Sequence, residues 1–182
     1  YGLQPAVCDT CYYALRGKND VRNTVYTTYN KVFRNEKSNV ASLDRLNVFS
    51  VRDIMFVGDK NFVLSHRQLL IERLSSFFSE TCLSFTIETA DDPFFSNNLE
   101  KKMFQHTFEL KYEILAKIPY LNKKIAVGSI NLHLDTFGQA FNISQGIEKI
   151  YSGCIGIGFE RFLLALYSQH GSDTSKWPVP AK

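Results

Sequence analysis

Apolar and polar positions alternate with a period near two over residues 24–34 (TVYTTYNKVFR) and again over 48–57 (VFSVRDIMFV), which predicts two strands. The polar run between them, residues 35–47, reads as a loop, so the pair forms a long hairpin. The pattern then changes. From Asp59, a good helix cap, to about Ser79, Phe62, Leu69, Leu70, Leu74, Phe77 and Phe78 recur at helical spacing along one broad face. Residues 83–89 read as a strand, Asp91-Asp92-Pro93 as a turn, and Asn98 to Leu115 as a second helix. Residues 124–135 and 139–144 are expected to be strands joined at Thr136-Phe137-Gly138. Residues 151–157 form a last strand that runs into a helix from about Gly158 to Gln169, and the tail after Gly171 is irregular. Strands dominate and do not alternate regularly with helices. The expected class is therefore α+β, an antiparallel sheet with helices packed on it.

Composition narrows the classes. With 182 residues, 45% of them apolar and 21% charged, the chain is one ordinary globular domain rather than a disordered or fibrous sequence. Fifteen phenylalanines predict an aromatic core. A net charge of +3 does not indicate a nucleic-acid binder. No run of about 18 apolar residues exists, so no membrane partner is expected, and no signal peptide is visible. Four cysteines (Cys8, Cys11, Cys82, Cys154) are too few for a disulfide framework and point to a reducing, cytoplasmic setting. The chain begins at Tyr1 rather than Met, and the expectation is a fragment or a processed form.

Four features could carry chemistry. In the strand IAVGSINLHLD (125–135), Ser129, Asn131, His133 and Asp135 share one face, and Ile130, Leu132 and Leu134 the other. The polar face is either solvated or the floor of a cleft. Second, Gly153-Cys154-Ile155-Gly156-Ile157-Gly158-Phe159-Glu160-Arg161 reads as a strand entering a helix through glycines, which let a ligand approach the backbone. Arg161 falls in the first helical turn, where a cation is unfavourable. Either an anionic ligand or a surface ion pair with Glu160 or a neighbour offsets that cost. Third, the hairpin carries Arg34 and Glu36 on one face and Phe49 and Asp53 on the other strand. These can bind a phosphate, accept from an amino group and stack on a ring, or simply be solvated. Fourth, Cys8-Asp-Thr-Cys11 has the gap of half a zinc knuckle, and Cys154 is a further metal candidate. Buried, unliganded cysteine is the plain alternative for each, and it is the reading for Cys82.

Taken together the pieces resemble a known family. Phe33-Arg34-Asn35-Glu36, a loop, and Phe49 through Asp53 resemble motif 2 of class II aminoacyl-tRNA synthetases. GCIGIGFER (153–161) resembles motif 3, and SINLHLDTFGQAF (129–141) resembles the strand before motif 3 in seryl-tRNA synthetases. The start Pro5-Ala6-Val7-Cys8, DDPFF at 91–95, LKYE at 110–113 and SGCIGIGFERFLLAL…HG…WP at 152–178 resemble, more narrowly, the amino acid:[carrier protein] ligases. These are seryl-synthetase-like proteins without a tRNA-binding domain. The likeness covers nearly the whole chain.

The resemblance implies a single class II catalytic domain over 1–182 that adenylates glycine or alanine with ATP and passes it to the phosphopantetheine thiol of a carrier protein. Arg34 is expected to bridge the α-phosphate and the amino acid carboxylate, and Glu36 to hold the adenine amino group. Phe49 is expected to stack under adenine, with Arg161 over its other face near the γ-phosphate. Cys8, Asp53 and Cys154 match the family's three zinc ligands, and Ser129, Asn131 and His133 should line the pocket floor. ATP, Zn2+ and Mg2+ are the implied cofactors. tRNA is not an expected partner, and a full-length form should be a homodimer. Three departures stand out. The family usually has Glu where Asp53 stands, no residue matches the magnesium-binding Glu near the start of the 124–131 strand, and nothing matches motif 1. The alternatives are a zinc-dependent seryl-type tRNA synthetase, a paralogue that binds without turnover, and a truncated fragment.

Overall fold

The computed structural model describes residues 2–35, 42–90 and 109–180. Helix α1 (Asp9–Leu15) precedes the hairpin strands β1 (Thr24–Phe33) and β2 (Val48–Gly58), then α2 (Lys60–Glu80) and β3 (Phe85–Thr89). Strands β4 (Lys111–Ile118) and β5 (Lys123–Leu134) lead to a short helix α3 (Thr136–Ala140). A two-residue hairpin, β6 (Ser144–Gln145) and β7 (Glu148–Lys149), connects to β8 (Tyr151–Gly158), and α4 (Phe159–His170) follows directly. Six strands form one sheet in the order β1-β2-β8-β5-β4-β3, and all its pairings are antiparallel. The expected α+β architecture is the one observed. No helix among the described residues is long and apolar enough to cross a membrane.

Each face of the sheet has its own core. On one face α2 and α4 cover Phe56, Ile114, Ala116, Ile118, Ile130 and Ile155, all essentially buried. Phe78, fully buried, packs its ring against Phe85 and Phe162, so this core is aromatic as the composition predicts. On the other face α1 and α3 cover Met55, Val57, Ile150 and Cys154. Helix α2 starts where expected because the Asp59 side chain accepts a bond from Phe62 N at 2.8 Å. Its apolar face is narrower than expected: Leu69 and Phe77 are exposed, whereas Val63 and Phe78 are fully buried.

Three sequence expectations are corrected. Of the helix expected over 98–115, residues 98–108 lie outside the described residues, and Lys111–Ile118 is a strand. Good helix formers there mask an alternation in which Ile114, Ala116 and Ile118 turn inward. The turn expected at 136–138 is part of α3, and the strand expected over 139–144 reduces to Ser144–Gln145. Gly138 does not serve a turn. A Cβ there would stand 2.4 Å from Ile150 O, so the glycine lets α3 lie against the chain entering β8. Cys82 is exposed rather than buried, since it follows the C-terminal end of α2 in a left-handed conformation, φ 52°. The turn at 91–93 lies outside the described residues.

Candidate active site

Strand β8 is central in the sheet, and its alternate residues set the site. Cys154 pairs with Met55 on β2 and Asn131 on β5, and Gly156 pairs with Asp53 and Ser129. By the two-residue period, Asp53, Cys154, Ser129 and Asn131 therefore share the face that α1 covers. Helix α1 brings Cys8 onto it from its N-terminal end. The two thiol sulfurs and a carboxylate oxygen of Asp53 lie within 4.8 Å of one another, and all three residues are buried. Burial pushes the Asp53 carboxyl up to about 6, against a bond from the Cys8 main-chain N–H that favours the carboxylate. The Cys154 thiol is held well above its ordinary range, first by a hydrogen bond with Cys8 and then by burial. Three soft or anionic donors crowded in a buried site fit a zinc ion, and three protein ligands leave the open position of a catalytic site. Cys11, one helical turn past Cys8, is half-buried and lies outside the mutual 4.8 Å set.

The polar face of β5 borders this cluster, with Asn131 and His133 both approaching Cys154. Ser129, Asn131 and His133 are partly buried. Asn131 Nδ2 donates to Ser129 Oγ at 3.1 Å and to Cys154 Sγ at 3.6 Å. His133 Nε2 lies 3.7 Å from the same sulfur, and its Nδ1 lies 2.7 Å from Tyr12 Oη. Asp135 does not share the face. The pairing of β5 with β8 shifts register at Leu132/Leu134, Leu134 turns to φ 54°, and Asp135 bonds Gln139 of α3. Tyr12 is a residue that spacing did not single out. It is fully buried, stacks on Phe137 with centroids 4.1 Å apart, and reaches His133 across 121 positions of sequence.

Of the remaining candidates, Phe49 and Arg161 border a narrow cleft at the start of β2. Phe49, Gly158, Glu160 and Arg161 line it together with Leu43 and Leu46. Both Glu160 carboxylate oxygens accept from Ser50 N, at 2.9 and 2.8 Å, which fixes the start of α4 against β2. Arg161 donates from Nε to Asp44 O at 2.8 Å and from Nη1 to Ala126 O at 3.1 Å, so the guanidinium ties the chain between β1 and β2 to β5. The surface pair with Glu160 weighed for Arg161 is not what anchors it. Arg34 stands just past β1, where its main-chain N–H bonds Asn47 O and its side chain donates to Pro5 O. Arg34 also lies near enough to Asp9 to counter part of the rise that burial imposes on that carboxyl. Arg34 is thus placed beside the start of α1, which carries Cys8. Glu36 and the 91–95 segment lie outside the described residues.

Comparison with known proteins places the fold in a family. The family model of the tRNA synthetase class II core domain (G, H, P, S and T) matches residues 1–170. Amino acid--[acyl-carrier-protein] ligase 2 of Bradyrhizobium diazoefficiens is 29% identical over 99% of the chain and 54% of its own length. The type-2 serine--tRNA ligase of Methanopyrus kandleri is 26% identical over 99% of the chain and 37% of its own length. A crystal structure of M. kandleri SerRS with A. aeolicus tRNASec superposes with a TM-score of 0.82 at 25% identity, over 97% of the chain and 36% of that protein. The chain therefore spans about half the length of the carrier-protein ligases it matches and about a third of the serine ligases. A match over most of the chain, a six-stranded antiparallel sheet and a site built on its central strand have one meaning: the chain belongs to the class II tRNA synthetase core-domain family.

Proposed function

We propose that the protein activates a small amino acid, glycine or alanine, as its adenylate and transfers it to the phosphopantetheine thiol of a carrier protein. The observation that carries this reading is the buried Cys8–Asp53–Cys154 cluster on the same sheet face as Ser129 and Asn131. The carrier-protein ligases among the relatives supply the choice of acceptor.

Cys8, Asp53 and Cys154 would hold zinc, which when bound supplies a Lewis-acid position for the substrate's free amino group. Arg34, beside the start of α1, orients the substrate carboxylate towards the α-phosphate. No general base is required, because a carboxylate is already a nucleophile. Phe49 and Arg161 take the two faces of adenine, and Glu36 accepts from its amino group. Magnesium accompanies ATP, with no ligand assigned in this chain. Ser129 and Asn131 close the floor and restrict the side chain that fits. Catalysis is then mostly positioning and charge neutralisation. The second step breaks the acyl–phosphate bond as the pantetheine sulfur attacks the carbonyl, and AMP leaves.

A seryl-type tRNA synthetase is the second reading, favoured by the serine--tRNA ligase relatives and the 0.82 superposition. One experiment separates the two. The zinc-loaded protein is given ATP, a single amino acid and either a phosphopantetheinylated carrier protein or bulk tRNA, and the acceptors are weighed by mass spectrometry. Glycyl- or alanyl-carrier supports the proposal. Seryl-tRNA supports the second reading. No product on any acceptor leaves a paralogue that binds without turnover, the reading that Asp53 in the place of Glu raises.

A further inference from the structure

Behind the zinc-ligand cluster lies a buried chain of polar groups that the activation chemistry does not use. His133 bridges two partners: Nδ1 is 2.7 Å from Tyr12 Oη and Nε2 is 3.7 Å from Cys154 Sγ. The ring is held by more than these bonds. Phe137 meets it edge-on with centroids 4.8 Å apart and an interplanar angle of 90°, and Tyr12 meets it at 72°. Tyr12 itself packs against both Phe137 and Phe141, which also touch each other. Ser152, fully buried, lies beside the Tyr12 phenol. Two polar partners and two aromatic rings hold the imidazole in one orientation, so its protonation pattern is set by its neighbours.

The direction of the chain follows from which groups can donate. A phenol hydroxyl carries its proton at neutral pH, and Tyr12 Oη lies 2.7 Å from Nδ1, so it can donate to that nitrogen. Among the described residues, the two ring nitrogens face only the Tyr12 hydroxyl and the Cys154 sulfur, with no carboxylate hydrogen-bonded to either, so the neutral ring with one N–H fits the site. With a protonated phenol donating to Nδ1, that N–H is on Nε2 and points at the Cys154 sulfur. Asn131 donates to the same sulfur from its other side at 3.6 Å. Two N–H groups aimed at one sulfur fix its direction, and they stabilise it as a thiolate once a metal has displaced its proton.

We propose that His133 is a positioning residue for the metal site, rather than part of the substrate pocket. Tyr12 holds it in the Nε2–H tautomer so that it donates to the Cys154 sulfur. This inference rests on the zinc reading of the cluster only in its second test. Groups that orient metal ligands in this way typically change metal affinity by ~10–100-fold when removed.

The first test needs no metal. In protein with 15N-labelled histidine at neutral pH, the imidazole nitrogen shifts report which nitrogen carries the proton. The expected result is Nε2–H for His133, shifting towards a mixed population in Tyr12→Phe. A pure Nδ1–H form in the wild type overturns the proposal. The second test is zinc affinity by chelator competition. His133→Leu should weaken binding ~10–100-fold. His133→Gln, whose amide nitrogen reaches the place of Nε2, should recover most of that. Tyr12→Phe should weaken binding in the wild-type background but add nothing in His133→Gln. Equal affinities for the Leu and Gln variants, or additive losses, overturn it. A wild type that binds no zinc removes the zinc reading of the cluster, while the tautomer still decides whether His133 donates to Cys154.

Discussion

Asp53 and Gly156 face each other across the β2–β8 ladder, and a Cβ on Gly156 would stand 2.5 Å from Asp53 Oδ1. The carboxylate lies where a side chain on the central strand would otherwise be. Gly156→Ala should therefore displace Asp53 from Cys8 and Cys154 while leaving the sheet paired. The expected result is zinc affinity weakened by ~10–100-fold with an unchanged circular dichroism spectrum. Unchanged affinity would mean that Asp53 is not a ligand.

Zinc bound by the native cluster and not by the unfolded chain stabilises the fold by mass action. At free zinc 100-fold above Kd the gain is about 2.7 kcal/mol. For a domain of this length that corresponds to a Tm shift of roughly 5–11 °C. Chelation of the loaded protein should lower Tm by that amount, and Cys154→Ser should abolish the shift. Differential scanning calorimetry with and without zinc measures both.

Arg161 holds two main-chain carbonyls, Asp44 O and Ala126 O, with one planar fork. A lysine keeps the charge but cannot reproduce the fork. Arg161→Lys should loosen the segment 42–46, read as faster limited proteolysis there. It should also weaken ATP binding by ~10–100-fold, the cost of one charge-assisted bond. Slower cleavage, or unchanged ATP affinity, would separate Arg161 from the nucleotide site.

Phe56 is fully buried under α2 and α4, and a Cβ on Gly153 would stand 2.5 Å from its ring. The glycine is the space the ring occupies. Phe56→Ala should destabilise by ~3–5 kcal/mol in denaturant titration. Val179→Ala, 88% exposed, should stay within about 0.5 kcal/mol of the wild type. A Phe56 cost near that of Val179 would contradict the assigned packing.

Much of the frame was legible because its signals are local. The alternation of β1 and β2, the Asp59 cap and the run of β8 into α4 each lie within a few residues. Strand β4 looks helical in sequence because Lys, Glu, Leu and Ala favour helix in isolation, while its inward residues are decided by partners on β3 and β5. The glycine at 138 carries the local signal of a turn, whereas its role, a close approach to Ile150, involves a residue twelve positions away. In the site, the shared face of Ser129, Asn131 and His133 followed from the strand period. The clustering of Cys8 with Asp53 and Cys154 came from family resemblance, since no spacing joins residues on three elements. The bond from Tyr12 to His133 had no local signal at all, because only the fold of α1 over the sheet brings them together.

The central claim is that the Cys8–Asp53–Cys154 site serves amino acid activation. Amino-acid-dependent ATP–pyrophosphate exchange, run on zinc-loaded, chelated and reloaded protein, tests it most directly. The account predicts exchange with glycine or alanine, lost on chelation, restored by zinc, and reduced by ~100-fold or more in Arg34→Ala. Exchange that survives chelation, or none with any amino acid on the zinc-loaded protein, would contradict it.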